Sequence, residues 1–300
     1  MSRATKIWLA VATLLVLAGL VVFAGVMGGL GWNFRDLGTD RYETQRYAVT
    51  EAFDNISIRV DTADVRFVLT ADGSAGVECY QDAKEKHIVS VEGDTLVIEV
   101  ENQKAWYDYI GIHFGSPRVT VYLPQGAYAS LVLEGSTGDV ECAALAAGVL
   151  KITTDTGDIS LENANIGTLE LKTSTGEIEV SNVTCQGDIV VKVSTGEAEL
   201  EALVCKNFTS TGSTGSISLE QVLVTEKLSV QRSTGDVHFE RSDAGEIVVK
   251  TETGDVRGSL LSEKVFIAHS ETGKVRVPRN TTGGRCEITS ETGDILLELA

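Results

Sequence analysis

From about residue 135 onward the chain alternates apolar and polar positions in a pattern that repeats whenever a Thr-Gly pair recurs. Two and four residues after the glycines stand Val140/Cys142, Ile159/Leu161, Ile178/Val180, Ala198/Leu200, Ile217/Leu219, Val237/Phe239, Val256/Gly258, Val275/Val277 and Ile295/Leu297. Seven and five residues before them stand pairs such as Leu131/Leu133, Leu150/Ile152, Leu169/Leu171, Ile189/Val191 and Ile247/Val249, broken only at Ser210. A third set, Ala164/Ile166, Val183/Cys185, Leu203/Cys205 and Val222/Val224, fades at Ser242/Ala244 and Leu261/Glu263. Alternation with a period of two marks strands that bury one face. Each repeat therefore holds three short inward-facing sides.

The glycines are Gly138, Gly157, Gly176, Gly196, Gly215, Gly235, Gly254, Gly273 and Gly293, always 19 or 20 residues apart. Such regularity predicts one coil per repeat and an all-β fold, a parallel β-solenoid (β-helix-like) with 19–20-residue coils. A coil must turn sharply between sides, and glycine tolerates the backbone of such a corner. Thr137, Thr156, Thr175, Thr195, Thr214, Thr234, Thr253, Thr272 and Thr292 form an unbroken column before the glycines, placed to stack hydroxyl on hydroxyl. Asp139, Asp158, Glu177, Glu197, Asp236, Asp255 and Asp294 follow them, with Ser216 and Lys274 as interruptions. Carboxylates about 5 Å apart on successive rungs could share a cation. The spacing lacks the calcium-binding nonapeptide and the column is interrupted, so the motif reads as a structural corner rather than a metal ladder.

The first residues are different material. Arg3 and Lys6 precede an uncharged run from Ile7 to Leu30, about 36 Å long at helical rise and longer than the roughly 30 Å hydrocarbon core. Trp8 and Trp32 near its ends, with the positive charges before it, predict a transmembrane helix at 7–30 and a cytoplasmic N-terminus at 1–6. A cleaved signal peptide has a shorter apolar core. Residues 31–50 read as a juxtamembrane spacer, 51–134 as an irregular β lead-in and cap, and 135–300 as the regular solenoid. Within the lead-in, Ile56/Ile58, Thr62-Ala63-Asp64 and Val65/Phe67 fit the coil columns with alanine in place of glycine. An aromatic insertion containing Trp106, Tyr107, Tyr109, His113 and Phe114 suits a cap over the first coil or an exposed contact surface. The last strand ends at the C-terminus without a cap, so residues 294–300 are expected to offer an open edge for self-association or a partner.

Composition narrows the chemistry. With 43% hydrophobic residues the chain can bury a core, and a net charge of −18 repels nucleic acid. Cys79, Cys142, Cys185, Cys205 and Cys286 fall mostly in apolar columns; Cys185 and Cys205 share one column on adjacent coils, near enough for a disulfide. No Cys/His spacing suggests a zinc site, no cofactor is indicated, and neither a nucleophile elbow nor a Ser/His/Asp set stands out.

Taken with the apolar N-terminal run and "RVTVYLP" at Arg118–Pro124, the Thr-Gly coils resemble the bacterial putative-adhesin family of unknown function, the β-strand-repeat type that includes LiaG-like envelope proteins. The resemblance covers roughly residues 50–300 and implies a non-enzymatic, membrane-anchored envelope protein with no catalytic residues to carry over. Three roles fit: adhesion to a surface polymer or protein by multivalent contact, an accessory of envelope-stress signalling that touches a membrane sensor, and a self-assembling scaffold.

Overall fold

The computed structural model describes residues 2–29, 31–33, 41–109 and 115–300. Its helix, α1 (Arg3–Gly29), is long and apolar enough to cross a membrane, and residues 3–26 are exposed. All the other long elements are strands, built on the period-two pattern.

The N-terminal part holds β1 (Tyr42–Val49), β2 (Asn55–Thr62), β3 (Asp64–Thr70), β4 (Ala75–Asp82), β5 (Glu85–Glu92), β6 (Thr95–Asn102) and β7 (Arg118–Pro124). Chain order and spatial order differ here. The rung formed by β6 and β7 lies on one side of the β2–β3 rung, with Ile56 beside Leu96 and Val65 beside Val119. On the other side of β2 and β3 follow β8 (Ala127–Thr137) and β9 (Val140–Ala143), also parallel. The outer faces of the first rung are closed by antiparallel strands: β5 on β6, β4 on β7, and β1 on β4. Tyr42–Val49 is thus a cap strand, which corrects the reading of 31–50 as a spacer. Among the described residues these strands make the cap. Its polar groups are joined across strands. Gln81 Oε1 accepts from both the backbone N–H (2.7 Å) and Nδ1 (2.9 Å) of buried His87, and Tyr47 Oη donates to the His87 carbonyl at 2.8 Å.

The middle is a regular stack. One side is built by β8, β10 (Ala146–Thr156), β12 (Asn165–Thr175), β14 (Asp188–Thr195), β16 (Asn207–Thr214) and β18 (Leu223–Thr234). The next is built by β9, β11 (Ile159–Glu162), β13 (Ile178–Cys185), β15 (Ala198–Cys205), β17 (Ile217–Glu220) and the start of β19 (Val237–Thr253). Every pairing is parallel and in register, so the apolar columns become stacked rows of buried side chains such as Leu150, Leu169 and Ile189. Each such side chain contributes about 1.5–3 kcal/mol by leaving water.

The far end again departs from chain order. After β20 (Val256–Leu260) the chain skips a level to β21 (Lys264–Thr272) and β22 (Val275–Arg276), then steps back to β23 (Gly284–Thr292) and β24 (Ile295–Leu299). Accordingly β23 lies between β19 and β21, and β24 lies between β20 and β22. The C-terminal strand is interior to the stack, which corrects the expectation of an open edge at 294–300. The last rung in space is β21–β22.

Candidate functional site

The Thr-Gly corner is a close-packed backbone column. Gly157 has φ +139°, and a Cβ there would overlap the carbonyl oxygen of Gly138 one rung back. The same holds up the column, with Gly138 over Ala63, Gly293 over Gly254 and Gly273 over Gly293. Every corner glycine before the last rung donates its N–H to the threonine carbonyl of the neighbouring rung, as from Gly138 to Thr156 and from Gly157 to Thr175, both at 2.9 Å. The corner thus locks through threonine backbone rather than through stacked threonine hydroxyls. Buried hydroxyls two residues earlier do bridge rungs: Thr173 Oγ1 donates to Gly157 O at 3.0 Å and Ser290 Oγ to Gly254 O at 3.2 Å.

The residue after the glycine also has a structural task. Asp139 Oδ1 accepts the Asp158 N–H at 2.9 Å, Asp158 Oδ1 the Glu177 N–H at 2.7 Å, and Asp236 Oδ1 the Asp255 N–H at 2.8 Å. The series ends where Asp255 Oδ1 accepts the Asp294 N–H and Asp294 Oδ1 the Lys274 N–H. Lys274 interrupts the acidic column in sequence, but it stands on the last rung, where no further N–H needs an acceptor. A second corner lies six residues after the glycine. There Ala144, Asn163, Asn182, Ala202, Gln221 and Arg241 all take positive φ, between 48° and 57°.

The wall that follows the Thr-Gly corner carries a groove of about 470 Å³, lined by Ser160, Glu162, Glu179, Ser181, Glu199, Glu201, Ser218 and Glu220. The register sets Glu179 beside Glu199 and Glu201 beside Glu220. One carboxylate oxygen from each of Glu177, Glu179 and Glu199 lies within 4.8 Å of the others. Partial burial first, then the charges of Glu179, Glu199, Asp158 and Glu197, hold the Glu177 carboxyl above its ordinary range. An oxygen-only set of this kind suits a hard cation such as Ca²⁺ or Mg²⁺. The wall presents it as one part of a repeating acidic surface.

The remaining candidates separate. Cys185 and Cys205 lie one residue beyond the Thr184–Val204 register pair but stay separate thiols, which corrects the disulfide expectation. The Cys185 sulfur is directed to the carbonyls of Gly167 (3.4 Å) and Asp188 (3.5 Å). Burial pushes the thiols of Cys79, Cys205 and Cys286 up to about 12, far from the reactive range. Trp106 and Tyr107 begin the insertion as an exposed pair in edge contact at 5.9 Å. Beside them Lys104 joins the cap through Glu85 (2.6 Å) and Asp82 (3.3 Å). The Tyr109 side chain, His113 and Phe114 lie outside the described residues.

Sequence reading missed Arg232, which is only 2% exposed inside the stack. Its Nη2 donates to Ser210 Oγ at 2.9 Å, its Nε has no partner, and burial pushes its pKa down to about 10. Ser210 and Gly212 supply the room, since a Cβ on Gly212 would overlap the guanidinium. The polar break at Ser210 was its signal.

Comparison with known proteins agrees with this architecture. No curated protein matches the chain. A crystal structure of a putative adhesin from Bacteroides fragilis is 14% identical, with a TM-score of 0.51 over 86% of this chain and 97% of that one. Putative adhesins from Parabacteroides distasonis and Parabacteroides merdae are each 11% identical, with TM-scores of 0.46 and 0.45 over 74% and 75% of this chain and 97% and 98% of theirs. At such identity the likeness concerns the fold alone. The family model described as Toastrack DUF4097 matches residues 53–187 and 184–300, and the chain belongs to that family.

Proposed function

We propose that this chain is a non-enzymatic envelope protein, anchored by α1 with its N-terminus in the cytoplasm, whose solenoid stands outside the cytoplasm and binds a surface polymer or protein. The observation that carries this reading is the repetition of one outward-facing polar wall over successive rungs behind a helix able to cross a membrane. Side chains that repeat at one-rung steps suit many weak contacts with an extended ligand, and multivalency turns weak contacts into useful avidity. Catalysis instead needs different groups converging on one point. The adhesin descriptions of the similar structures lend support in the same direction.

Two measurements test the proposal. Protease added to intact cells stripped of their outer layers is expected to digest residues 41–300 while sparing α1; full protection of the solenoid would overturn the topology. Purified full-length protein is expected to cosediment with isolated envelope material, and Glu179→Gln/Glu199→Gln/Glu201→Gln to weaken that binding several-fold. Unchanged sedimentation of the triple variant would remove the acidic wall from the binding surface.

A further inference from the structure

Among the described residues the solenoid finishes at β21 and β22, and this end differs from the edges of β5 and β1 at the other. The edge of β5 is engaged by side chains, since His87 has its N–H taken by Gln81 and its carbonyl by Tyr47. The edge strand β1 carries charges within it, Glu43 and Arg46, the usual guards against strand addition. By contrast, among the described residues β21 pairs only with β23, and its stretch Val265–Ser270 has no charged residue. Among the described residues no side chain bonds its outward backbone groups. Val265 and Ile267 are 37% and 51% exposed on the outer face, while Phe266 and Ala268 lean half-buried on the end of the core.

Charge then selects the occupant. In a chain of net charge −18, this end collects Lys274, Arg276 and Arg279, all exposed and without an ion pair among the described residues. Lys274 immediately precedes β22, Arg276 lies on it and Arg279 follows it, all past the Gly273 corner, while the exposed Glu271 ends the uncharged stretch on β21 itself. An extended acidic strand would meet both features at once.

We propose that β21 is a strand-accepting edge for an extended acidic segment of a partner protein, held by backbone pairing along Val265–Ser270 and oriented by Lys274, Arg276 and Arg279. The assignment goes beyond the binding wall and does not depend on where α1 places the solenoid.

The test uses the full-length chain in detergent and a fluorescent peptide of alternating glutamate and valine, with lysine replacing glutamate in a control peptide. Saturable binding of the acidic peptide is expected, with hydrogen-exchange protection gained at residues 264–276. Lys274→Glu/Arg276→Glu/Arg279→Glu is expected to weaken binding at least ten-fold. So is Val265→Asp/Ile267→Asp, which places repelling charge on the edge itself. These are exposed positions, and unchanged circular dichroism and melting confirm the fold of each variant. Equal binding of the lysine peptide, protection elsewhere, or unchanged affinity in both variants would overturn the proposal. Equal competition by inorganic polyphosphate would reduce the site to charge alone and overturn strand addition. A micromolar dimer dispersed by Val265→Asp/Ile267→Asp would give the edge to a second copy instead.

Discussion

At its N-terminal end the stack of parallel rungs meets three antiparallel strands tied together by His87, Gln81 and Tyr47, whereas at the other end it stops at β21 and β22 with no strand beyond among the described residues. Both ends use the same device of a chain excursion out of spatial order. At the first, β2–β3 slips between β6–β7 and β8–β9; at the second, β23–β24 slips beneath β21–β22. One excursion leads into a cap with its own buried polar network, and the other leaves a strand edge uncharged along Val265–Ser270. The difference teaches that closing a solenoid takes added polar satisfaction as well as another strand.

The interior should be the least forgiving region. Gly176→Ala places a Cβ against the Gly157 carbonyl at φ +145°, and is expected to cost about 3 kcal/mol or more, read from chemical denaturation. The capped end should be distinctively sensitive to acid. His87 donates through Nδ1 to an acceptor-only oxygen, its Nε2 is buried without a partner, and burial lowers its pKa from 6.5 to about 4. The unfolded chain therefore binds a proton that the folded chain refuses. The stability from this residue is complete above about pH 6.5 and is lost as pH falls towards 4, by about 3 kcal/mol at most. Hydrogen exchange between pH 7 and 4 should show β1, β4 and β5 opening before β21, and equal loss at both ends would contradict the assignment.

Smaller effects separate a middle rung from the last one. Asp158→Ala leaves the Glu177 N–H without its acceptor and is expected to cost about 1 kcal/mol, whereas Lys274→Ala, with no rung stacked above it, should leave the melting temperature unchanged. Ala202→Gly, at φ +53°, should raise stability by up to about 1 kcal/mol in the same assay, because glycine accepts the left-handed corner without a Cβ penalty.

The coil length, the inward columns and the glycine corner were legible because each is a local repeat. The order of stacking was not, since every coil satisfies the same columns wherever it is inserted. Lys274 was the one available clue: a non-acceptor fits that column only at its end. The left-handed corner was half visible in Asn163 and Asn182, residue types that favour that conformation, and hidden where Ala144, Ala202, Gln221 and Arg241 occupy it. The outermost cap strand, Tyr42–Val49, escaped because it is a half-exposed edge strand with weak alternation. On the acidic wall, sequence showed the carboxylates but not which faced one another, which depends on register.

The arrangement of the far end is tested most directly by paired cysteines on outward positions of the terminal rungs. Neighbouring parallel strands lie about 5 Å apart and can be bridged, whereas strands two rungs apart cannot. In the structure Leu296 stands beside both Arg257 and Arg276. Arg257→Cys/Leu296→Cys and Arg276→Cys/Leu296→Cys are expected to oxidise readily to disulfides, and Arg257→Cys/Arg276→Cys to remain reduced. Ready oxidation of Arg257→Cys/Arg276→Cys, with none in Arg257→Cys/Leu296→Cys, would return β24 to the open end and contradict the account.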